Sequence, residues 1–235
     1  RSPSRGLGDV YKRQVPRDTI MEYYKKHYTP NNMTTIIVGD FDHNEVLERV
    51  VREFDFRGRE NFENPEFEID RPAGETKYIE TKAQINTGFV IIGYLGEAAC
   101  AIRENIGLEM ASIILGEGQS SRLFKNLIER AQEPVFNLVS ADFYNFRDGS
   151  NLFVQANFDA SKKDEAIELL KEEIRKVVED GIDEKEFEKA KKRLKVNFAE
   201  EAETVSDIGE TIGYYMTVCN NLELVEDCLL YTSPS

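Results

Sequence analysis

The sequence predicts an α+β fold, a two-layer sandwich in which helices pack on one face of a mainly antiparallel sheet. Short β-branched and aromatic runs alternate with longer segments whose apolar residues recur every three or four positions. The pair Asp148-Gly149 lies between two strand-like runs and predicts a hairpin, which joins antiparallel strands. Three helical patterns follow that hairpin in succession, an order typical of helices layered on an antiparallel sheet.

Length and charge exclude several classes of function. The chain has 235 residues, of which 40% are hydrophobic, and this is enough for a globular core. Its net charge of −14 argues against binding to nucleic acid or to an anionic membrane surface. No apolar run approaches the roughly 20 residues that cross a bilayer, so no membrane span is predicted.

The first elements are predicted from caps and periodicity. A helix begins near Pro16, a residue that the first helical turn tolerates. The run 33–40, "MTTIIVGD", predicts a short buried strand. Asp42 with Glu45 predicts the cap of a second helix. Residues 57–74 are polar, contain prolines and show no period, which is typical of a linker.

A second structural unit follows this linker. Its predicted strands cover residues 76–81, 86–95, 135–146 and 151–159. One helix is predicted from about Cys100 and another after the serine pair at 120–121. The three closing helices each begin with a predicted capping box, formed by Ser161 with Asp164, Asp183 with Glu186 and Thr204 with Asp207.

Both ends of the chain differ from the rest. Residues 1–14 have no apolar periodicity and carry four basic residues and one acid, and residues 228–235 cut off an amphipathic helix abruptly. We interpret both as non-native flanks and the chain as a fragment. The predicted organisation is therefore a flank over 1–14, the tail of a preceding α/β unit with its linker over 15–72, one α+β domain over 73–227, and a flank over 228–235.

Cysteine and histidine positions predict no metal site and no disulfide framework. Cys100, Cys219 and Cys228 have neither CxxC spacing nor an even count. His27 and His43 do not form HExxH or HxxEH, in which ligands one turn apart share a helix face. The sequence also lacks the GxSxG motif of a nucleophilic serine.

The stretch 115–131, "LGEGQSSRLFKNLIERA", could be a phosphate loop or a turn between two helices. It lacks the GxxxxGK[ST] lysine, and a helix rather than a strand precedes it. We therefore expect Gly116 and Gly118 to relax a turn, and Ser120 or Ser121 to cap the next helix. A stand-alone module that binds an anion at this helix N-terminus remains the alternative.

Three segments in the right order resemble the insulinase/pitrilysin family of zinc metallopeptidases, which includes the mitochondrial processing peptidases. They are "YYKKHYTPNNMTTIIVGDFDHNEVLERV" over 23–50, the stretch 115–131 and "EDGIDEKEFEKAKKRLKVNF" over 179–198. Each segment alone is a weak signal, whereas the three together are fairly specific. The resemblance covers nearly all of residues 15–227.

This resemblance implies repeated α/β units that form a clamshell around an extended peptide. Zinc is held there by an HxxEH helix and a downstream glutamate, which would lie upstream of Val15. No metal ligand or cofactor is therefore expected in this chain, and zinc is expected in the missing upstream domain. The implied role is a non-catalytic domain, inactive alone, that walls the peptide chamber and packs on a zinc-bearing domain of the same chain or of a partner subunit.

An alternative is a non-catalytic partner or scaffold subunit whose full chain has no zinc site at all. An HxxEH motif upstream in the reading frame would favour the peptidase. The sequence leaves the substrate, the compartment and the oligomeric state open.

The resemblance also suggests positions near the substrate. Family members hold the substrate backbone with an arginine and a tyrosine about seven residues apart, after the "SSRL" segment. Here Phe136 best matches the tyrosine, Glu129 lies seven residues before it and the nearest arginine is Arg130. The candidate chamber or loop positions are Gly116, Gly118, Ser120, Ser121, Arg122, Arg130 and Phe136.

Overall fold

A computed structural model describes residues 15–54, 61–63, 65, 74–200 and 202–225. The chain divides into two compact units, Arg1–Glu68 and Ile69–Ser235. The predicted flanks over 1–14 and 228–235, and most of the predicted linker over 57–74, lie outside the described residues.

The described residues of the first unit form two helices and a short 3₁₀ turn. Helix α1 spans Arg17–His27, the turn spans Pro30–Asn32 and α2 spans His43–Glu53. Asp42 Oδ1 accepts from the backbone N–H groups of Asn44 and Glu45, both at 2.9 Å, which confirms the predicted cap.

The predicted strand over 33–40 is wrong. Residues 33–38 form no strand and none of them is buried. A strand needs a neighbour to satisfy its backbone groups, and the described residues of this unit contain no strand that pairs with it. β-propensity alone therefore predicts the wrong secondary structure for this segment.

The second unit is built on a three-stranded antiparallel sheet. Its strands are β1 (Thr87–Gly96), β2 (Phe136–Phe146) and β3 (Gly149–Asp159), in the spatial order β1-β3-β2. The predicted β2–β3 hairpin is confirmed, and its turn residues are Arg147-Asp148, one position before the Asp148-Gly149 pair that predicts it. Strand β1 pairs with β3 along its whole length, from Thr87 opposite Asp159 to Gly96 opposite Ser150.

The predicted strand over 76–81 is also wrong. Residues 76–83 belong to no sheet, and Tyr78 and Ile79 are exposed. Glu80 forms an ion pair of 2.8 Å with Lys163 at the start of a helix. No described strand lies beyond β1 to accept this segment into the sheet.

The described part of the second unit contains a short helical stretch over 223–225 and five longer helices. The longer helices are α3 (Ile102–Gly116), α4 (Arg122–Phe124, continued by a π-helical turn over Lys125–Glu129), α5 (Lys163–Asp180), α6 (Glu184–Glu200) and α7 (Val205–Tyr214, continued by a π-helical turn over Tyr215–Cys219). None of the described helices is both long enough and apolar enough to cross a bilayer.

Two of the three predicted capping boxes are confirmed. Asp183 and Glu186 exchange backbone hydrogen bonds at the start of α6, and Thr204 and Asp207 do so at the start of α7. The box predicted at Ser161 is wrong. Asp159 instead accepts from the N–H of Ser161 at 2.8 Å, and a 3₁₀ turn over Ala160–Lys162 precedes α5.

The core lies between one face of the sheet and the helices, which confirms the predicted layer order. Alternate residues of β3 are buried, as expected for a strand with one covered face. The central cluster comprises Leu115, Leu123, Leu127, Val135, Phe136, Val139, Ala141, Val154, Ala156, Phe158, Ala166 and Leu170.

A disulfide between Cys100 and Cys219 corrects the expectation that the cysteines form none. It joins the connection between β1 and α3 to the last residue of the π-helical turn after α7. The two Cα atoms lie 5.5 Å apart, within the usual range for a disulfide. Sequence spacing could not reveal the pair, because 119 positions separate the two residues.

Candidate functional site

The second face of the sheet is the first candidate site of the second unit. Side chains on this face alternate with the buried ones along each strand. We call it the open sheet face, because no described segment of this unit buries its large apolar side chains. These are Phe89, Ile91 and Leu95 of β1 and Leu138, Tyr144 and Phe146 of β2, all exposed.

Three amide side chains and one aromatic ring run along the middle of the open sheet face. Asn151, Gln155 and Asn157 of β3 point to this side, with Phe153 between Asn151 and Gln155, and all four are half-buried. Asp142 of β2 accepts from Gln155 Nε2 at 2.8 Å and from Ser140 Oγ at 3.1 Å. The face therefore offers amide donors and acceptors between two apolar margins.

This composition is unusual for a sheet face in water. An antiparallel sheet with one covered face normally presents polar residues on the other. Here Phe89 and Ile91 are 63% and 64% exposed, and Phe146 is 55% exposed. Such clustered apolar exposure is typical of a surface that contacts another molecule or domain.

Sequence reasoning missed the open sheet face, although a signal was present. The run over 88–95, "GFVIIGYL", is apolar at both odd and even positions. A strand with one solvent-facing side should alternate, so this run predicts contacts on both faces. In β3 most residues that face this side are polar, so the sequence of that strand gives no such indication.

The second candidate feature is the loop over 116–122, which we call the glycine–serine loop. It holds five of the seven predicted positions and joins α3 to α4. A Cβ at Gly116 would lie 1.8 Å from the backbone N of Ala141, so this glycine lets α3 approach β2 closely. Gly118 has φ +72°, a left-handed backbone conformation that glycine adopts readily in a turn.

Charged contacts tie the glycine–serine loop to α6. Arg122 donates to both carboxylate oxygens of Glu186, from Nε at 2.7 Å and from Nη2 at 2.5 Å. Arg122 Nη2 also donates to the carbonyl of Gly181 at 2.8 Å. The hydrogen bonds from Arg122 hold the pKa of Glu186 below its usual value, and those to Glu186 raise the pKa of Arg122.

Further contacts occupy the polar side chains of the loop. Arg193 Nε donates to Glu117 Oε1 at 2.6 Å, and Lys189 Nζ contacts Ser120 Oγ. Ser121 lies at the N-cap position of α4, but its hydroxyl donates to the carbonyl of Gly118 at 2.8 Å. The predicted side-chain cap is therefore wrong, and these loop side chains bind within the chain.

The two remaining predicted positions lie apart from that loop. Arg130 is exposed after the π-helical turn, and its Nη1 donates to Asn126 Oδ1 at 3.3 Å. Phe136 is 3% exposed and packs edge-on against Phe158, with ring centroids 6.5 Å apart. Phe136 therefore supports the core and has no surface to offer a peptide.

The described residues do not form a zinc site. They contain no group of three or more His, Cys, Asp or Glu side chains that could hold a metal ion. His27 stacks on Tyr23 with ring centroids 3.9 Å apart, and His43 is the first residue of α2. Neither histidine therefore belongs to such a group among the described residues.

Comparison with known sequences gives a family match. Residues 14–194 match the family described as the peptidase M16 inactive domain. A Rickettsia bellii protein named an uncharacterized zinc protease is 25% identical over 199 residues, which is 84% of this chain and 46% of that protein. The chain spans less than half the length of the curated relatives it matches.

Solved structures share the fold. The peptidase M16 inactive domain from Pseudomonas fluorescens aligns with a TM-score of 0.71 at 16% identity, over 93% of this chain and 51% of that one. A protease from Helicobacter pylori aligns with a TM-score of 0.71 at 20% identity, over 94% of this chain and 53% of that one.

Proposed function

The chain belongs to the peptidase M16 inactive-domain family, and we propose that its second unit is a non-catalytic wall that holds an extended peptide in a zinc endopeptidase. The open sheet face carries this proposal. Its apolar margins and central amide row match the two chemistries of an extended peptide, which has apolar side chains and a backbone of hydrogen-bonding groups.

The charge of the open sheet face fits such an occupant. The chain carries a net charge of −14, but the strand residues on this face include only two carboxylates within the described part, and both accept hydrogen bonds. Ser140 and Gln155 donate to Asp142, and the Ser161 hydroxyl donates to Asp159 at the end of β3. An uncharged or apolar peptide segment therefore meets little repulsion there. The relatives named as zinc proteases support a peptide rather than another ligand class.

The chemistry of peptide cleavage would come from a separate zinc-bearing domain, of the same chain or of a partner subunit. The match to a family described as inactive supports this division. In this account Gly116, Gly118, Ser120, Ser121 and Arg122 stabilise the wall and contact no substrate.

A binding experiment tests the proposal. A fluorescein-labelled 12-residue peptide of alternating leucine and serine is titrated with the chain, and fluorescence anisotropy gives the Kd. Ile91→Ser should weaken binding at least about tenfold, because it removes apolar surface that the peptide would bury. The peptide should stay uncut when zinc is added, as expected of a non-catalytic wall.

Val178→Ser is the matched control. Val178 is 80% exposed on α5, away from the sheet, and its replacement should leave the Kd unchanged. Equal binding by the Ile91 and Val178 variants would contradict the assignment of the open sheet face. Peptide cleavage that a chelator abolishes would contradict the non-catalytic role.

A further inference from the structure

A pocket of about 240 Å³ lies between the glycine–serine loop, the last turn of α3 and one face of α6. Its described lining includes no strand residue, so the pocket is separate from the open sheet face. An apolar cavity of about 150 Å³ is large enough to bind benzene. The pocket between α3 and α6 therefore has room for a small organic ligand.

The inner part of the pocket is apolar. Ile113 and Ile114 line it from α3, and Ala190 lines it from α6. Ile114 and Ala190 are buried, with exposed fractions of 7% and 2%. Because the alanine side chain is a single methyl group, it leaves space between the two helices that an aliphatic group can fill. Such a group would be removed from water there, which favours binding.

Charged side chains line the outer part of the pocket. Lys189 and Arg193 lie four positions apart on α6 and therefore on the same side of that helix. Glu117 and Glu186 line the pocket as well, and Glu186 accepts from Arg122. These three cations and two carboxylates give a local net charge of +1, although the whole chain carries −14. The pocket therefore favours a ligand with a single negative charge.

The two cations of α6 have unused hydrogen-bond donors. Arg193 Nε donates to Glu117 Oε1 at 2.6 Å, and the guanidinium carries further N–H donors. Lys189 Nζ contacts Ser120 Oγ, and Lys189 forms no ion pair with a carboxylate of the described residues. An anion beside Lys189 would thus gain a charge-assisted hydrogen bond without breaking an ion pair.

We propose that this pocket binds a small carboxylate with an aliphatic tail, supplied by a free acid or by the last residue of a peptide. The tail packs on Ile113, Ile114 and Ala190, and the carboxylate accepts from Lys189 and Arg193. A phosphate with two negative charges fits less well, because it exceeds the local charge of +1. The inference is independent of the peptide-holding role, because the described lining of this pocket shares no residue with the open sheet face.

Amide NMR of the full chain, titrated with 4-methylpentanoate, tests the inference. The backbone amide signals of Ile114, Gly118 and Ala190 should shift, and those of Phe89 and Ile91 should not. We expect a millimolar Kd, because so small a ligand makes few contacts. Acetate lacks the tail and 4-methylpentanamide lacks the charge, so each should bind at least about fivefold more weakly.

Two lysine variants test the position of the carboxylate. Lys189→Gln removes the cation that has no carboxylate partner and should weaken binding of 4-methylpentanoate at least about fivefold. Lys192→Gln is the matched control, because Lys192 is exposed on the same helix and is not among the residues that line the pocket. The control should leave the Kd unchanged. Both side chains are exposed, so both variants should keep the fold of the parent chain.

A tripeptide distinguishes the two sources of the carboxylate. If serine–serine–leucine with a free C-terminus binds more tightly than 4-methylpentanoate and its C-terminal amide does not bind, the ligand is a peptide end. Equal or tighter binding of 4-methylpentanoate assigns the pocket to a free acid. Three results would each overturn the inference: unshifted amides at Ile114, Gly118 and Ala190 with both carboxylates, equal binding of 4-methylpentanamide, or equal Kd values for the two lysine variants.

Discussion

Arg122 is the residue whose role changes most between sequence and structure. It lies within the stretch that resembles a family motif and is one of the candidate chamber or loop positions. The structure instead directs its guanidinium to Glu186 and to the carbonyl of Gly181. The pair is partly buried, with side chains 18% and 30% exposed, so solvent screens it less than a surface ion pair.

Glu186→Gln tests this pair through the pH dependence of stability. The pKa of Glu186 is lowered in the folded chain, so its carboxylate stabilises the fold fully above its unfolded pKa of about 4.3. That contribution disappears as the pH falls through the lower folded pKa. We expect the variant to lose roughly 1–3 kcal/mol near neutral pH, and the loss should shrink in acid.

Urea denaturation from about pH 7 down to about pH 2 measures this difference. Glu188→Gln is the control, because Glu188 is exposed on the same helix, and it should change stability by less than about 0.5 kcal/mol. An equal loss in both variants, or a loss for Glu186→Gln that does not vary with pH, would rule out the ion pair as a stabilising contact.

At the scale of elements, sequence reasoning succeeded where the signal is local. The hairpin at Asp148-Gly149, the caps of α6 and α7 and the helix over 102–116 all depend on residues within a few positions of each other. It failed for the strands predicted over 33–40 and 76–81. A strand also needs a neighbouring strand to pair with, and the local sequence does not show whether that neighbour is present.

The glycines of α3 illustrate the same division between local and tertiary information. Gly116 was expected to relax a turn, but it is the last residue of the helix and touches the backbone of β2. That contact joins residues 25 positions apart, so the sequence around Gly116 does not predict it. Gly107 lies on the same helix with no atom near its missing side chain.

Replacing each glycine by alanine separates packing from helix propensity. In Gly116→Ala the new methyl group would overlap the backbone of Ala141, and we expect a loss of about 1–3 kcal/mol or more. Gly107→Ala fills open space in a helix and should gain about 0.5–1 kcal/mol. Thermal unfolding of both variants checks the signs, and a stabilising Gly116→Ala would contradict the close approach of α3 and β2.

At the scale of the whole molecule, the family match confirms the resemblance seen in three sequence segments. The layer order and the antiparallel sheet were also predictable. The open sheet face was predictable only in part. The apolar run over 88–95 indicates contacts on both sides of β1, but the fold decides which strand residues the helices leave uncovered. The disulfide could not be predicted for a related reason, since only the fold brings Cys100 and Cys219 together.

The central claim is that a peptide lies on the open sheet face, and photo-cross-linking measures this most directly. A benzophenone amino acid is placed at position 146 on this face or at position 178 on α5, and each chain is irradiated with the labelled leucine–serine peptide. We predict a covalent adduct from position 146 and none above background from position 178. Adducts of equal yield from both positions, or an adduct from position 178 alone, would contradict the account.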